Sequence, residues 1–282
     1  MKLIALITFI LFSSKAQSFV WSNKNSFSHI SSGEKLSVYL PKNYSQEKSY
    51  PLVISLHGYG GSPFFQNIIL PLNRLVTKNQ LLLVTPKGLK DQKGKRYWNG
   101  KNCCSSNTLL GKKRDDVAYL KDLIYSVQKK YRVDSSKIFL GGHSNGGFMA
   151  NRMACEASEL ISGIFNYAGA GYLREKECRP SREIKVLHIH GTKDKTIFYE
   201  GGDWYPGAKD TVNFWREFNF CHDSYQTSSL EKKRFQKTIK KQEWLECSGE
   251  GKVALWTIND GGHSELLNKG RVSQILDFLF RP

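Results

Sequence analysis

The sequence predicts an α/β fold, in which helices cover both faces of a mostly parallel central sheet. Short apolar runs alternate with longer segments of helical periodicity, which is the pattern of strand–helix–strand units. Several of these runs are apolar throughout, as expected for strands that are buried on both faces. With 282 residues, of which 40% are hydrophobic, the chain can bury a sizeable core, and its composition excludes disordered and coiled-coil classes.

The strands and helices are predicted from these runs in chain order. The predicted strands are residues 36–40, 52–56, 81–85, 138–140, 163–167, 186–189 and 253–258. Apolar side chains recur every three or four positions in segments 117–131, 148–153, 212–218 and 272–279, which predicts helices. Asp115 and Asp116 suit the first turn of the first helix, because the helix dipole favours negative charge there. In such sheets, functional residues collect at the carboxyl ends of the strands.

The N-terminal segment has the pattern of a secretory signal. Lys2 precedes the apolar run 3–12, and the small residues Ser14 and Ala16 lie two positions apart, as a signal-peptidase site requires. The alternative is an uncleaved anchor, but a bilayer takes about 20 apolar residues, which this run does not reach. We expect cleavage after Ala16, a secreted or periplasmic location, and a single catalytic domain over residues 17–282 without a membrane span.

A serine nucleophile is predicted from residues 142–146, Gly-His-Ser-Asn-Gly, which match the pattern G-x-S-x-G. An apolar strand leads into this motif and a helical pattern leads out of it, as a nucleophile elbow requires. The alternative is a glycine-rich turn that holds a structural serine. A second Gly-His-Ser at 262–264 lacks the later glycine. We therefore expect Ser144 to be the nucleophile.

Donors for an oxyanion are expected at two places in the chain. One is the N–H of Asn145, directly after the nucleophile. The other lies in the loop 57–61, His-Gly-Tyr-Gly-Gly, which follows an early strand and whose glycines tolerate unusual backbone angles. We expect the Tyr59 N–H to be this second donor, with Gly60 as the alternative.

The acid and the base should follow the nucleophile in chain order. His188 and His190 lie in or at the end of a buried strand and are expected to be structural. His263 lies in a turn after the last strand and is the predicted base. Asp194, just past the preceding strand, is the predicted acid. Its rivals are Asp203, Asp210 and Asp260.

Taken in order, six motifs resemble those of secreted polyhydroxybutyrate depolymerase and feruloyl esterase-like proteins, α/β-hydrolases near carbohydrate esterase family 1. The motifs are HGYGG at 57–61, WNGxxCC at 98–104, DDVAYL at 115–120, GGHSNGG at 141–147, HIHGTKD at 188–194 and LWTIxxGGH at 255–263. The resemblance extends from residue 36 to the C-terminus. It implies that Ser144, Asp194 and His263 form a catalytic triad.

The same resemblance implies hydrolysis of a carboxylic ester through an acyl-enzyme. The substrate would be a hydroxyalkanoate polyester or oligomer, or a feruloyl or acetyl ester on polysaccharide. Family members often have an aromatic residue and a proline after the histidine, where this chain has Ser264 and Glu265, so the substrate stays open. The histidines lack metal-ligand spacing, so we expect no metal or cofactor. We expect a monomer.

The six cysteines are expected to form disulfides, because the chain is predicted to be exported. Cys221 and Cys247 bracket a strand-rich segment and are predicted to pair. Cys155 and Cys178 are both placed toward the far side of the sheet and are predicted to pair. The adjacent Cys103 and Cys104 would then form a vicinal disulfide, the alternative being that they pair with Cys155 or Cys178.

The net charge of +17 is concentrated partly in two clusters. The first comprises Lys87, Lys90, Lys93, Lys95, Arg96, Lys101, Lys112, Lys113 and Arg114. Because Trp98 lies among them, we expect this stretch to line the mouth of the cleft, with Trp98 and His143 as substrate contacts. The second cluster, within 232–241, is expected to be an exposed strand whose lysines protect a sheet edge.

Recruitment of an anionic polymer such as an acidic polysaccharide is the functional interpretation of the first cluster; a solvated surface is the alternative. No nucleic-acid-binding motif is present, so no nucleic-acid partner is expected. Besides an esterase, the sequence leaves two other functions open. One is a peptidase or acyltransferase that uses the same triad, and the other is a non-catalytic polymer-binding module.

Overall fold

The computed structural model describes residues 22–101, 103–104, 114–232 and 236–282. The predicted signal segment 1–16 lies outside these residues. The strands are β1 Asn23–Ser28, β2 Lys35–Leu40, β3 Tyr50–Leu56, β4 Leu82–Val84, β5 Leu89–Lys90, β6 Arg96–Tyr97, β7 Val133–His143, β8 Gly163–Tyr167, β9 Lys185–Gly191, β10 Gln226–Leu230, β11 Ile239–Trp244 and β12 Lys252–Ile258. The helices are α1 Pro63–Ile69, α2 Asp116–Lys130, α3 Asn145–Glu156, α4 Ala208–Phe218 and α5 Lys269–Phe280.

Ten of the described strands form one sheet in the order β1-β2-β4-β3-β7-β8-β9-β12-β11-β10. The central strands from β4 to β12 pair in parallel, whereas β1, β2, β11 and β10 pair antiparallel at the two sides. The short strands β5 and β6 form a separate hairpin. The predicted mostly parallel sheet is thus confirmed.

Both faces of the sheet are covered by helices, as predicted. Buried side chains of α2, α3 and α4 pack with one face, and those of α5 pack with the other. The two sets alternate along β3, where Leu52, Ile54 and Leu56 belong to the first core and Val53 to the second. This explains the unbroken apolar run of β3, because neither of its faces contacts water.

The parallel arrangement gathers the predicted functional loops at one edge of the sheet. The loop 57–61 follows β3, Ser144 follows β7, Asp194 comes after β9, and His263 comes after β12. Because these strands run in the same direction, their carboxyl ends lie side by side, and residues far apart in the chain meet there.

The prediction of an exposed edge strand at 232–241 is wrong. β11 pairs with β10 on one side and with β12 on the other, so β10 forms the edge. Lys241 is only 8% exposed, and its Nζ lies 4.1 Å from the centre of the Trp256 ring. Long lysine side chains can be buried along their length in this way, which a pattern of alternating lysines does not reveal. Residues 233–235 of this cluster lie outside the described residues.

The structure contains the three disulfides that the sequence predicted, Cys103–Cys104, Cys155–Cys178 and Cys221–Cys247. The second ties the end of α3 to the segment before β9. The third closes the segment that contains β10 and β11. Among the helices of the described ranges, none is long and apolar enough to span a bilayer.

Candidate active site

Ser144 lies in the sharp turn between β7 and α3. Its backbone angles, φ 54° and ψ −120°, fall in a region that residues with a side chain rarely adopt. A Cβ on Gly142 or on Gly146 would lie 2.3 Å from the Leu56 carbonyl oxygen, so only glycine allows the strand and helix to pack so closely against β3. The Ser144 N–H donates to the Tyr167 carbonyl at 2.7 Å. Backbone packing therefore holds the strained turn in place.

His263 lies between Ser144 and Asp194 and is hydrogen-bonded to both. Its Nε2 is 2.8 Å from Ser144 Oγ, and its Nδ1 is 2.8 Å from Asp194 Oδ2. The His263 side chain is 18% exposed, whereas that of Asp194 is fully buried. The structure thus brings together the three residues that the sequence singled out, from three separate loops.

The carboxylate of Asp194 accepts hydrogen bonds at both oxygens. Oδ1 accepts from the N–H groups of Thr196 and Ile197, at 2.8 and 2.9 Å, and Oδ2 accepts from His263 and from His190 Nε2 at 3.2 Å. Burial by itself would raise the pKa of Asp194, but these donors outweigh it and hold the pKa well below its ordinary value. Asp194 is therefore an anion that faces His263.

The rival carboxylates do not contact His263. Asp260 pairs with Lys193 Nζ at 2.7 Å on the surface. Asp210 accepts from the Gly207 N–H at the start of α4, and Asp203 is exposed. The burial and the donors therefore single out Asp194.

The loop 57–61 approaches Ser144 closely. A Cβ on Gly58 would lie 3.3 Å from Ser144 Cβ. The Gly60 N–H donates to the Arg96 carbonyl at 2.7 Å, so this group is already committed. Of the two candidate donors in the loop, this geometry favours the Tyr59 N–H. The Tyr59 hydroxyl donates to Asp91 Oδ2 at 2.5 Å and secures the loop against the β5–β6 hairpin.

Trp98 is fully buried, so the expectation that it lines the cleft and contacts substrate is wrong. Its indole N–H donates to the His57 carbonyl at 3.1 Å. The Asn145 side chain bonds the Trp98 backbone twice, by accepting from its N–H and donating to its carbonyl, each at 2.7 Å. Trp98 thereby links the loop 57–61 to the start of α3. The sequence marked it only as part of a motif, since buried and exposed tryptophans look alike there.

His143 does not serve as a substrate contact either, because it is only 5% exposed and lies under His263. Its ring centre is 4.9 Å from that of His263, and its Nε2 lies 2.7 Å from the His263 carbonyl oxygen. Burial and the nearby His263 lower the pKa of His143 to about 4, so His143 is neutral at neutral pH. It supports the loop that carries His263.

Ser264 and Glu265, at which the chain departs from the family pattern, close the turn around His263. The Ser264 hydroxyl lies 3.3 Å from His143 Nε2. Glu265 accepts from the Gly262 N–H at 2.9 Å and pairs with Lys237 at 2.7 Å. These polar contacts hold the turn.

Two exposed aromatic rings lie in the segment that follows Asp194, and the sequence reasoning did not single them out. Trp204 is 43% exposed and stacks on Phe148, which lies in the first turn of α3. Phe148 also packs in a small core with Cys103. Phe198 follows Ile197, whose N–H binds Asp194, and is itself 53% exposed. The sequence does not show that these two aromatic side chains are exposed, because their exposure depends on how the chain folds.

No cluster of potential metal ligands occurs among the residues that the structure describes.

The family model for phospholipases and carboxylesterases matches residues 43–239, which is more than half of the chain. The chain is also similar to feruloyl esterase B of Piromyces equi, with 26% identity over 82% of this chain and 42% of that protein. It is similar to probable feruloyl esterase C of Aspergillus clavatus, with 29% identity over 60% of this chain and 58% of that protein.

The chain thus spans only about two fifths of the length of feruloyl esterase B. Among solved structures, the acetyl xylan esterase from Aspergillus awamori superposes with a TM-score of 0.64 at 15% identity, over 92% of this chain and 99% of that one. A CE1 ferulic acid esterase from Anaeromyces mucronatus superposes with a TM-score of 0.53 at 14% identity, over 92% and 89%. At these identities the structural matches establish the fold. The chain belongs to the phospholipase/carboxylesterase family of α/β-hydrolases.

Proposed function

We propose that the protein is a serine esterase that hydrolyses carboxylic esters through an acyl-enzyme. The observation that carries this proposal is the continuous hydrogen-bonded arrangement of Ser144, His263 and Asp194, with both contacts at 2.8 Å. The family membership and the feruloyl esterase relatives support an esterase over a peptidase, an acyltransferase or a binding module.

In the proposed mechanism, His263 Nε2 takes the hydroxyl proton of Ser144 as Oγ attacks the ester carbonyl. The N–H groups of Asn145 and Tyr59 stabilise the resulting oxyanion. His263 then gives the proton to the departing alkoxide, which leaves an acyl-enzyme. Water, deprotonated by the same histidine, attacks the acyl group and releases the acid. Asp194 accepts a hydrogen bond from the Nδ1–H of His263 and stabilises the imidazolium that forms when Nε2 takes up the proton.

We propose an ester of a polysaccharide as the substrate class, with a feruloyl or acetyl group as the acyl part. The relatives with feruloyl esterase names favour this class over hydroxyalkanoate polyesters. The exposed rings of Trp204 and Phe198 offer surfaces on which an aromatic acid or a sugar can stack.

The polysaccharide is proposed to be anionic. An open groove of about 460 Å³ beside the start of α1 is lined by Lys24, Arg74 and Lys87, together with the rings of Tyr39 and Phe64. Among the described residues that line it there is no carboxylate. Of the other cations of the predicted basic stretch, Lys101 pairs with Glu177 and Arg114 pairs with Asp116. Lys112 and Lys113 lie outside the described residues.

We further propose that the protein acts outside the cytoplasm as a monomeric catalytic domain over residues 17–282. The three disulfides support this location, because such bonds persist in oxidising compartments.

The test is hydrolysis of p-nitrophenyl acetate, methyl ferulate, hydroxybutyrate oligomers and acetylated xylan by the wild-type protein and Ser144→Ala. We expect Ser144→Ala to lose at least about 10⁴-fold in kcat, because no other group replaces the nucleophile. Ser136→Ala is the matched control, since Ser136 lies near the opposite end of β7 and its hydroxyl donates to Asp134 Oδ1 at 2.7 Å. Equal turnover by Ser144→Ala and the wild type would exclude the mechanism.

The same assay tests the anionic surface. Xylan that carries uronic acids is compared with xylan whose uronic acids have been reduced, at low and high salt. We expect salt to raise KM only for the charged polymer, because screening weakens its attraction to the groove. If salt affects both polymers alike, the substrate does not bind through its charge.

A further inference from the structure

A chain of buried polar side chains leads to the carboxylate of Asp194, which His263 also contacts. Asn166, His188 and His190 are each at most 1% exposed. Asn166 lies on β8 opposite His188 on β9, and His190 follows on the same face of β9, two residues later. A buried polar group without a partner is costly, and here each of these side chains finds one in the next.

The hydrogen-bond directions along this chain are determined by chemistry. The Gly169 N–H donates to Asn166 Oδ1 at 3.0 Å, so the amide Nδ2 faces His188 Nδ1 at 3.1 Å. An amide nitrogen only donates, so Nδ1 of His188 accepts and its proton is on Nε2. That proton is donated to His190 Nδ1 at 3.1 Å. The proton of His190 is therefore on Nε2, which faces both the Ile197 carbonyl oxygen and Asp194 Oδ2.

His190 contacts both the carboxylate of Asp194 and the backbone of Ile197. Its Nε2 lies 3.2 Å from Asp194 Oδ2, the same oxygen that His263 contacts. It also lies 2.8 Å from the Ile197 carbonyl oxygen, and the N–H of Ile197 donates to the other carboxylate oxygen at 2.9 Å. The ring thus holds the carboxylate directly and, through the adjacent peptide, the loop that surrounds it.

We propose that His190 is a positioning residue, which donates its Nε2 proton to Asp194 and so holds the carboxylate in line with His263, while His188 and Asn166 fix the tautomer that makes this possible. The proposal rests on the proposed function and adds residues that act through Asp194 without contacting substrate. Its physical basis is that a displacement of about 1 Å in a catalytic group costs up to about 100-fold in rate.

Two substitutions of His190 test whether the hydrogen bond donated from the Nε2 position matters separately from the contact at the Nδ1 position. In His190→Gln the amide can reach the position of Nε2 and donate to Asp194. In His190→Asn the shorter amide occupies the position of Nδ1, where it meets His188 but cannot reach Asp194. We expect His190→Gln to keep kcat within about threefold of wild type, and His190→Asn to lose about 10- to 100-fold in kcat with KM unchanged.

His29→Gln is the control for replacing a buried histidine. His29 is 2% exposed, stacks on Tyr119 and bonds its carbonyl oxygen at 2.9 Å, away from the site. Thermal unfolding is measured for every variant. If His29→Gln lowers the melting temperature as much as His190→Asn and keeps kcat, a loss in His190→Asn is specific to the site.

A double variant distinguishes positioning from general damage to the fold. In an Asp194→Asn background the carboxylate is already gone, so His190→Asn should lower kcat by less than twofold further. Equal kcat values for His190→Gln and His190→Asn, or full multiplication of the two losses, would overturn the proposal. An unchanged kcat in Asp194→Asn alone would overturn the proposed function instead, so the two failures are distinguishable.

Discussion

The two halves of the candidate site are held in place by different forces. The nucleophile side, residues 57–61 and 141–147, is positioned by close backbone packing, with Gly142 and Gly146 each against the Leu56 carbonyl oxygen. The acid–base side, residues 188–197 and 259–265, is positioned by side-chain hydrogen bonds, of which Asp194 alone accepts four. The nucleophile side therefore depends on glycines that have no side chain, and the acid–base side depends on hydrogen-bond donors to Asp194.

This difference determines how each side should respond to change. Close packing tolerates no added atom, because backbone atoms on both sides of the contact cannot move aside. An amide that replaces a hydrogen-bonded carboxylate fills the same volume, but its N–H groups then face donors where the carboxylate oxygens accepted hydrogen bonds. One substitution on each side tests this difference, and the titration of the buried His57 adds a smaller effect on stability.

The largest effect is expected on the acid–base side, from Asp194→Asn. Every group around the carboxylate is a donor, so in either orientation the new amide places its own N–H groups against donors. His263 then loses the tautomer that leaves Nε2 free for the Ser144 proton, and kcat should fall by about 10⁴-fold. Steady-state hydrolysis of p-nitrophenyl acetate measures this. Asp260→Asn, at the exposed rival, should change kcat by less than about twofold; the reverse order would show that the acid is assigned wrongly.

A smaller effect is expected on the nucleophile side, from Gly146→Ala. The added Cβ would lie 2.3 Å from the Leu56 carbonyl oxygen, so α3 must shift and carry the Ser144 turn with it. We expect a loss of about 100-fold in kcat, together with roughly 1–3 kcal/mol of unfolding free energy. Kinetics and urea unfolding measure the two effects.

Gly270→Ala provides the matched control for this substitution. Gly270 also lies in the first turn of a helix, but a Cβ there would meet its nearest neighbour, Asn268 Oδ1, at 3.4 Å. Because alanine favours helix formation more than glycine does, stability should stay equal or rise. Equal behaviour of the two variants would mean that the close contact with β3 does not hold the turn.

The smallest expected effect is a dependence of the unfolding free energy on pH, and it arises from His57 in the loop 57–61. Burial lowers the pKa of His57 to about 4, aided by the nearby Arg96 charge, and its Nε2 accepts from the Gly88 N–H. The unfolded chain binds this proton near pH 6.5 and the folded chain only near pH 4. Stability should therefore fall as the pH drops through this window, by roughly 1 kcal/mol at pH 5.5 from this residue. Asp194, whose pKa is held low, stays ionised throughout.

Urea unfolding at pH 7.5 and 5.5 measures this contribution. In His57→Gln the difference between the two pH values should be smaller by roughly 1 kcal/mol. His222→Gln, which replaces an exposed histidine, is the control and should keep the wild-type difference. A wild-type pH dependence in His57→Gln would show that the buried imidazole does not titrate as its surroundings require.

The sequence predicted those parts of the site that depend on short segments of the chain or on the order of the loops. The elbow at Ser144 shows in the spacing of its glycines, and the order of Ser144, Asp194 and His263 follows from the order of the loops. Trp98 and His143 were expected as substrate contacts and are buried instead. Composition and neighbours in the chain do not tell whether an aromatic side chain faces the cleft or lies beneath it.

The sequence by itself predicted the class of fold, the elbow and the three residues that meet beside it, because period, spacing and chain order are properties of the chain. Only the tertiary structure decided that His190 contacts Asp194, that Lys241 is buried, and that the Gly60 N–H donates to the Arg96 carbonyl. Those facts depend on which strands become neighbours and in what register. That outcome depends on packing over the whole sheet, and no short segment of the chain contains it.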